Sequence, residues 1–438
     1  MIIVPIIVTL LAFYCYNRGK IAWLLICMTF FFTNGYMLME TRLFGIKPND
    51  YLLFILAVIS VNEYFKDSSY FHVKAEICGR AVWLIFVLLL FEAVRTLVFG
   101  IEEFGFMVKV LRINSLFLLY FYLRKVSITD LEWYVKLNLI FCTFQGVLFY
   151  LQVVGISGIL IGRIDEAQTS SDVSRYCNYP YFAQYYLIYF LVNSNMSFLK
   201  RSIGALFFGG MLILGMSRGL IMSTALAFAL YFLVHRRMKN VVFIVVGYLA
   251  YTLAVAPMLD ARAKHDSGSS SIMQDISSVT TAKDMSNIEI EGTFAFRIAM
   301  LMERWFYIKE DPVDALIGVG IIHEESPHNN FKFSIGTANP AYWANHCQIE
   351  SGDITWVPIL LRYGLVGAGV YLSLLLAWCS LSYNLLNTNN EHVLTAALLS
   401  FSVTVGSLTN MVFDAYHTLF LTIFCIIYIQ RYYNLSEQ

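Results

Sequence analysis

Arg218 has the sequence context of an anion-binding residue. It follows an apolar run that ends at Ser217, and a second apolar run begins at Gly219, which predicts a position at the membrane boundary rather than in a solvated loop. An arginine there is costly unless it is paired or functional. Its fork of donors suits a pyrophosphate, and its small neighbours allow close backbone approach. The alternative is that Arg218 only caps a helix or contacts lipid headgroups.

Two further arginines, Arg297 and Arg304, lie in a segment with helical periodicity. Apolar residues recur at steps of three and four from 294 to 309, which predicts an amphipathic helix at the membrane surface. Seven residues, or two turns, separate the two arginines, so they lie roughly 10 Å apart at the edge of the apolar stripe. They could hold a lipid phosphate together, or they could only anchor the helix to anionic lipid.

A candidate proton acceptor, Asp353, stands directly before an apolar run that begins at Ile354. A carboxylate at the start of a span is partly desolvated, which raises its basicity and suits it to take a proton from a hydroxyl. Asp353 could instead be a helix N-cap, and the two roles do not exclude each other. His328 and His346 are alternative bases, although a loop histidine is more often a surface residue with ordinary hydrogen bonds.

Other charged residues cluster near the same predicted membrane face. Glu92 and Arg95 lie near the outer end of one span, and Lys109 and Arg112 begin the next. A structural ion-pair network between spans explains them, and a second anion-binding patch is the alternative. The sequence has no glycine-rich phosphate loop, zinc-protease histidine pair or aspartate-rich metal cluster. Phosphate chemistry would therefore rely on cationic side chains, with no metal and no cofactor.

The composition of the chain indicates that these residues are positioned by a membrane-spanning fold. The chain is 58% hydrophobic and 14% charged, a composition that excludes an ordinary soluble domain. Its zero formal charge gives no argument for a nucleic-acid partner, and the lipid bilayer is the expected environment. We predict an all-α, polytopic bundle of about 12 to 13 transmembrane helices. The apolar segments are 2–16, 21–38, 50–63, 81–99, 107–123, 133–155, 180–195, 202–216, 219–234, 240–257, 354–378, 393–410 and 414–430.

Basic residues at alternate connections, such as Lys66, Lys125, Arg236 and Arg237, mark the predicted cytoplasmic side. The first segment lacks a basic n-region and a cleavage site, which favours a retained span over a signal peptide. The predicted domains are an N-terminal transmembrane bundle at 1–257, a large outward-facing loop with the amphipathic helix at 258–353, and C-terminal helices with a cytoplasmic tail at 354–438. Cys177 and Cys347 fall in predicted outer segments, where an oxidising compartment would permit a disulfide.

Together these residues resemble the O-antigen polymerase and O-antigen ligase superfamily of bacterial envelope glycosyltransferases, mainly over residues 160 to 370. The order of the pieces around one large outer loop carries the resemblance. The pieces are Arg163 with Asn178-Tyr179-Pro180; Ser217-Arg218-Gly219; Gly292, Arg297, Trp305, Pro312 and Gly318-Val319-Gly320; and Asp353 with Gly364 and Gly367.

One position separates the two branches of this superfamily. In ligases, a catalytic histidine and a polar residue precede a Gly-x-x-Gly-like turn. Gly364 and Gly367 stand at the matching glycine positions, but Asp353 replaces the histidine and Ile354 the polar residue. The chain is therefore interpreted as resembling the polymerase (Wzy) branch. His328 lies too far before Gly364 to match the ligase spacing.

The resemblance implies a metal-independent, polyprenyl-pyrophosphate-dependent glycosyltransferase of lipopolysaccharide biosynthesis, with its active site on the periplasmic side of the inner membrane. It would move a growing glycan from undecaprenyl pyrophosphate to a sugar hydroxyl of an undecaprenyl-pyrophosphate-linked oligosaccharide, with a chain-length regulator protein as partner. The expected catalytic residues are Asp353, Arg218 and Arg297, and the expected substrate-binding residues are Arg304, Arg163, Arg362, His328 and His346. The alternatives are ligation of polymer to lipid A-core and transport of a lipid-linked glycan.

Overall fold

The computed structural model shows an all-helical bundle, which confirms the predicted fold class. It describes residues 3–33, 35–36, 38, 47–73, 76–156, 179–215, 218–235, 293–331, 333, 335, 349 and 354–436. No β-strand occurs among them. The helices are α1 (Ile3–Asn17), α2 (Ile21–Phe32), α3 (Pro48–Lys66), α4 (Ile77–Val98), α5 (Phe104–Leu111), α6 (Leu118–Leu123), α7 (Ile128–Val153), α8 (Ala183–Val192), α9 (Phe198–Leu214), α10 (Arg218–His235), α11 (Thr293–Ile308), α12 (Pro312–Ile317), α13 (Trp356–Asn384), α14 (Glu391–Gly406) and α15 (Tyr416–Ser436).

The helices follow the predicted apolar segments closely. In the part of the chain that the structure describes, four helical segments are long and apolar enough to cross a membrane: α4, the continuous stretch Phe104–Leu123, α7 and α13. A 3₁₀ segment, Arg112–Phe117, makes α5 and α6 continuous. Five shorter apolar helices accompany them. The predicted span 240–257, the outer segment before Tyr179 with Cys177, the large loop before 293, and Cys347 later in that loop lie outside the described residues, so the total number of spans stays a prediction.

Helix α4 shows how the bundle divides its faces between lipid and protein. Leu84, Val87, Phe91 and Val94 recur at steps of three and four and are each about half exposed, as expected for a face that meets lipid tails. The opposite face is buried and packs against α13. Helix α13 also packs against α11, α12 and α14, and its Trp378 is fully buried. It is therefore the central helix of the described bundle.

Local sequence explains where several helices begin. Pro48 occupies the first turn of α3, and the carboxylate of Asp50, three residues after Lys47, accepts a hydrogen bond from the Lys47 amide at 3.2 Å. Helix α12 also has a proline, Pro312, in its first turn, but here the N-cap residue itself, Asp311, accepts from the Val313 amide with its carboxylate. In both helices, the proline leaves one amide fewer to satisfy and has a backbone angle suited to a helix start. The aspartate then accepts a hydrogen bond from an amide at the start of the helix.

Two ends of the bundle collect the charged connections. At the first, α3 ends and α7 begins, and Lys66 and Lys125 lie 2.9 and 4.0 Å from Glu63. At the second, which we call the cavity end, α4 ends and α5 and α13 begin. Lys66 and Lys125 come from two connections predicted to be cytoplasmic, so the structure agrees that these connections share one end. Which end faces outward stays a prediction.

A kink in α13 joins this helix to the turn after α12. Gly364 has φ 59° and ψ −158°, a conformation that is essentially restricted to glycine. The predicted turn at 362–367 is therefore a break inside a continuous helix. Just before it, the carbonyls of Leu361 and Arg362 accept hydrogen bonds from the Val319 and Gly320 amides at 2.9 and 3.2 Å. The turn Gly318-Val319-Gly320 is thus hydrogen-bonded directly to the backbone of α13.

Alanine at Gly364 should destabilise the protein strongly. A Cβ there would lie 2.6 Å from the Leu316 carbonyl and from the Gly318 amide nitrogen, and the backbone conformation alone costs a side chain about 1 to 3 kcal/mol. We expect a lower melting temperature in detergent and a lower folded yield. Gly369→Ala is the matched control, because a Cβ at Gly369, in the same helix, meets nothing within 4 Å. Equal melting temperatures for the two variants would contradict the proposed importance of the kink.

Candidate functional site

A cavity of about 130 Å³ lies at the cavity end, between α5, the 3₁₀ segment, α13 and the connection from α14 to α15. Its charged and polar lining consists of Lys109, Arg112, Asn114, Arg362, Tyr363, Tyr371, Asp414 and Tyr416. Three cationic side chains face one carboxylate in this set. Such a wall concentrates anions. The cavity is therefore a candidate anion-binding site.

Two of the three cations form loose ion pairs. Arg112 Nη1 lies 3.4 Å from Asp50 Oδ1 at the start of α3, and Lys109 Nζ lies 3.4 Å from Glu325 Oε2. The side chains of Arg112 and Lys109 are 31% and 47% exposed, and exposed pairs of this kind contribute little to stability. Either cation can exchange its carboxylate for a ligand phosphate at small cost.

Arg362 is the fixed cation of the cavity. It is buried on α13, directly before the kink, and its Nε donates to the Ile322 carbonyl at 3.1 Å. A guanidinium that is held by the backbone and always charged places a permanent positive charge at the cavity wall. Arg362 was expected to bind substrate, and its place in the cavity lining supports that expectation. The role itself stays a prediction.

The carboxylate of the cavity is Asp414, in the connection between α14 and α15. Thr355 Oγ1 donates to Asp414 Oδ2 at 2.9 Å, and the Phe413 amide donates to Thr355 Oγ1 at 3.1 Å. Thr355 is two residues after Asp353, which lies outside the described residues. Sequence reasoning missed Asp414, because a single aspartate in a short polar connection belongs to no recognisable motif.

Helix α10 begins beside the same connection. A Cβ on Gly219 would lie 2.8 Å from Thr409 Oγ1. The next residue of that connection, Asn410, accepts a weak hydrogen bond from the Thr355 amide at 3.4 Å. The backbone of Arg218, the first residue of α10, is therefore close to the connection that carries Asp414. The position of the Arg218 side chain lies outside the described part of the structure.

Helix α11 was predicted at 294–309 and is observed at Thr293–Ile308, but its buried face differs from the predicted apolar stripe. Ala299 and Met300 are buried against Ile354 and Val357 at the start of α13, Arg304 is buried as well, and of the predicted stripe Ile308 is fully buried. The helix is therefore a packed part of the bundle over this face. Its predicted position flat on the membrane surface does not account for that burial.

Arg304 is fully buried inside protein contacts. Its Nη1 lies 2.6 Å from Glu303 Oε2 and donates to the Ile335 carbonyl at 2.9 Å, and its guanidinium lies 4.2 Å from the Phe333 ring centroid. These contacts attach α11 to Phe333 and Ile335. They describe a structural residue, and the expected support of a lipid phosphate by Arg304 stays a prediction. Arg297, two turns earlier on the same helix, is half-buried.

The Glu92–Arg95 pair holds the loop rather than a ligand. Glu92 is fully buried, and its Oε2 lies 2.7 Å from Arg95 Nη2. The same Arg95 nitrogen donates to the carbonyls of Ile317 and Gly318 at 3.1 and 2.9 Å. The two residues therefore have a structural role, but their ion pair lies within α4 and is not the predicted network between neighbouring spans. The alternative interpretation, an anion-binding patch, fits Lys109 and Arg112 instead.

Asp314, on α12, is an acidic group next to this contact. Burial raises the pKa of its carboxyl, the nearby Asp311 raises it further, and Arg95 opposes both effects. The carboxyl therefore protonates more easily than an ordinary aspartate. Its charge opposes folding slightly at neutral pH instead of stabilising the turn.

His328 lies in an exposed part of the loop at the cavity end. Its amide donates to Ser326 Oγ at 3.0 Å, and that hydroxyl donates to Glu102 Oε1 at 2.7 Å. Glu102 also accepts from the His323 amide at 2.9 Å. The loop is therefore anchored to the connection between α4 and α5, and His328 is not in the lining of the cavity. Its role as a base stays a prediction, and Arg163 and His346 lie outside the described residues.

Residues 203–372 match the family model described as O-antigen ligase. The match begins within α9 and ends within α13, so it includes α10, α11, α12 and the kink at Gly364. No curated protein matches the chain. The family match supports an enzyme of the O-antigen polymerase and ligase type, in a bacterial membrane, and it does not distinguish the polymerase from the ligase.

Proposed function

We propose that the protein is an O-antigen or surface-polysaccharide polymerase that joins undecaprenyl-pyrophosphate-linked repeat units at the outer face of the bacterial inner membrane. The observation that carries this proposal is the cationic cavity at the end where α13 meets α5. Helix α13 brings Arg362 into the cavity from within the matched region. Lys109 and Arg112 come from outside it. The cavity therefore combines a cation from the matched region 203–372 with cations from the N-terminal half of the chain.

The proposed reaction is a substitution at the anomeric carbon of the growing glycan. The bond from this carbon to the pyrophosphate oxygen breaks, the pyrophosphate leaves with the electron pair, and the acceptor hydroxyl forms the new glycosidic bond. The hydroxyl proton passes to a base, for which Asp353 is the candidate. Cationic donors fixed around the departing pyrophosphate would stabilise the charge that develops there. Arg362 and Arg112 are suited to this role by position, and Arg218 and Arg297 by sequence context.

The polymerase is favoured over the ligase by Asp353, which stands where the ligase branch has its histidine. The ligase would use the same lipid-linked donor but a lipid A-core acceptor. A transporter of lipid-linked glycan is the more distant alternative, which the many spans and the intramembrane charges Glu92 and Arg95 would favour. Their bonds to the loop carbonyls at 317 and 318 give them a structural role, which weakens that alternative.

Purified protein in lipid nanodiscs, given labelled lipid-linked repeat units, should produce a ladder of polymers. The ladder should persist in excess EDTA, because the proposed mechanism uses arginine and lysine in place of a metal. A parallel reaction with lipid A-core tests the ligase, and a reaction with a candidate chain-length regulator tests that partner by the change in modal length. Transfer only to lipid A-core would show that the protein is a ligase and not a polymerase. The absence of a new glycosidic bond in every reaction would contradict the proposal that the protein is a glycosyltransferase.

A further inference from the structure

An apolar groove of about 520 Å³ lies between α1 and α3. Ile6, Thr9 and Leu10 of α1 and Asp50, Tyr51 and Phe54 of α3 line it. Ile6, Leu10 and Phe54 are 50%, 63% and 56% exposed, so the groove opens toward the lipid that surrounds the bundle. Its aliphatic and aromatic walls can make van der Waals contacts with a hydrocarbon chain that leaves the lipid.

The groove is connected to the cationic cavity by one ion pair. Asp50 is the carboxylate among the six residues that line the groove, and its Oδ1 lies 3.4 Å from Arg112 Nη1. Arg112 in turn lines the cavity with Lys109 and Arg362. An apolar track on the lipid-facing surface therefore ends at the cationic site.

We propose that the groove binds the isoprenoid tail of a lipid diphosphate, while its pyrophosphate enters the cavity past the Asp50–Arg112 pair. This inference rests on the proposed function and assigns a place to its donor. A polyprenyl diphosphate joins one long apolar chain directly to a strongly anionic head. The molecule therefore requires a single apolar track followed by a cluster of cations, and α1, α3 and the cavity provide them in that order.

Asp50 is a positioning residue in this arrangement. Its Oδ2 accepts from the Lys47 amide and caps α3, while its Oδ1 holds Arg112. The two paired side chains are each about one-third exposed, so the pair is easily separated. A pyrophosphate carries more negative charge than a carboxylate and offers bidentate oxygens, so it would displace Asp50 from Arg112. The carboxylate then serves to hold Arg112 at the entrance while the site is empty.

Photo-crosslinking tests the location of the tail. The full chain in nanodiscs is exposed to a polyprenyl diphosphate with a diazirine on its chain, and a phosphatidylglycerol with the same diazirine serves as the comparison. We expect the polyprenyl probe to label peptides from 3–17 or 48–66, and unlabelled polyprenyl diphosphate to compete it away. Labelling confined to other helices, or equal labelling by the phospholipid without competition, would overturn the groove as an isoprenoid site.

A groove-filling variant gives a second readout. Leu10→Trp should raise KM for a long-chain donor about tenfold and leave kcat within about twofold, as expected when binding alone is lost. A donor with a two-isoprene chain should be unaffected, since it does not fill the groove. Leu206→Trp on α9 is the matched control, because Leu206 is exposed, at 75%, and does not line the groove. Unchanged KM for the long-chain donor in Leu10→Trp would contradict the proposal.

Asp50→Asn tests the ion pair separately from the tail. Asparagine preserves most of the cap on α3 but removes the charge that holds Arg112, so we expect normal melting with altered KM for both donors. The failure of the groove and the failure of the enzyme are distinguishable. If ladders form normally and crosslinks map elsewhere, the groove alone is wrong. If no ladder forms while the crosslink and its competition are observed, the polymerase is wrong and the lipid site stands.

Discussion

Arg112→Ala should lower the initial rate of polymer formation by about 10²- to 10³-fold, the loss expected when one donor to a developing negative charge is removed. Arg112 lines the cavity, and its pair with Asp50 is partly exposed, so the fold should lose little. Arg112→Lys should restore only part of the rate, because an ammonium retains the charge without the bidentate fork. The measurement is the ladder assay with equal amounts of folded protein.

Arg431→Ala is the matched control for this variant. Arg431 is a partly buried arginine at the opposite end of the bundle, where its Nη2 donates to the Val126 carbonyl at 3.0 Å. Its removal costs one backbone contact but takes no charge from the cavity, so the rate should stay normal. A normal rate in Arg112→Ala, or the same loss in both variants, would remove the cavity from the mechanism.

The same assay separates the arginines that were expected from sequence. Arg218→Ala and Arg297→Ala should each reduce the rate as severely as Arg112→Ala and leave the melting temperature unchanged. Arg304→Ala should act differently, because its buried contacts with Glu303 and the Ile335 carbonyl are structural. We expect a lower melting temperature for that variant. A stable Arg304→Ala protein with no activity would return Arg304 to the phosphate site.

The helices could be predicted well because hydrophobic length and charge placement are local properties of the chain. The predicted segments at 107–123 and 133–155 correspond to helices at Phe104–Leu123 and Ile128–Val153. The region around Gly364 was harder to predict. Glycines at 364 and 367 are typical of a turn, but the chain continues as a helix past Gly364, because amides at 319 and 320 bond to α13 at the break. That stabilising contact comes from a different segment of the chain and cannot be seen in the local pattern.

The cavity could be predicted only in part, since its walls come from segments far apart in the chain. Lys109 and Arg112 were recognised as an excess of charge, yet the pattern could not decide between ion pairs and anion binding. Their partners, Asp50 and Glu325, are distant in sequence and lie at the long distance of 3.4 Å, which makes both interpretations partly correct. Arg304 shows the opposite case. Its position on the helix suggested a lipid contact, but its guanidinium contacts Glu303 and Phe333 instead.

Hydrogen bonds to the turn around Gly318 fix the position of the cavity wall. Arg95 holds the turn by its carbonyls, α13 holds it by its amides, and Arg362, next to the kink, donates to Ile322 just beyond the turn. Fixed donors stabilise a developing charge better than mobile ones, because they need no reorganisation during the reaction. In the proposed mechanism, the glycines of the turn and the kink would therefore act on the chemistry through the position of Arg362. Partial destabilisation at Gly364 should reduce activity before it prevents folding.

Asp353→Asn is expected to lower turnover by at least about a hundredfold while the melting temperature holds, because asparagine retains the size and capping ability of aspartate but removes its basicity. The chain connects Asp353 to the cavity wall within two residues, through Thr355 and its hydrogen bond to Asp414. Asp311→Asn is the matched control. Asp311 caps α12 through the Val313 amide, so asparagine there should leave both turnover and melting unchanged.

His328→Ala and His346→Ala complete the comparison in the same polymerisation assay, with melting in detergent as the measure of folding. If Asp353 accepts the proton from the sugar hydroxyl, both histidine variants should keep most of their turnover, because neither histidine would then be the base, and His328 is exposed and outside the cavity lining. If Asp353 is only a helix cap, Asp353→Asn should be tolerated as well as Asp311→Asn is. Near-normal turnover in Asp353→Asn, together with loss in either histidine variant, would assign the base to that histidine. It would also favour the ligase over the polymerase, because a histidine base is the feature by which the ligase branch is recognised.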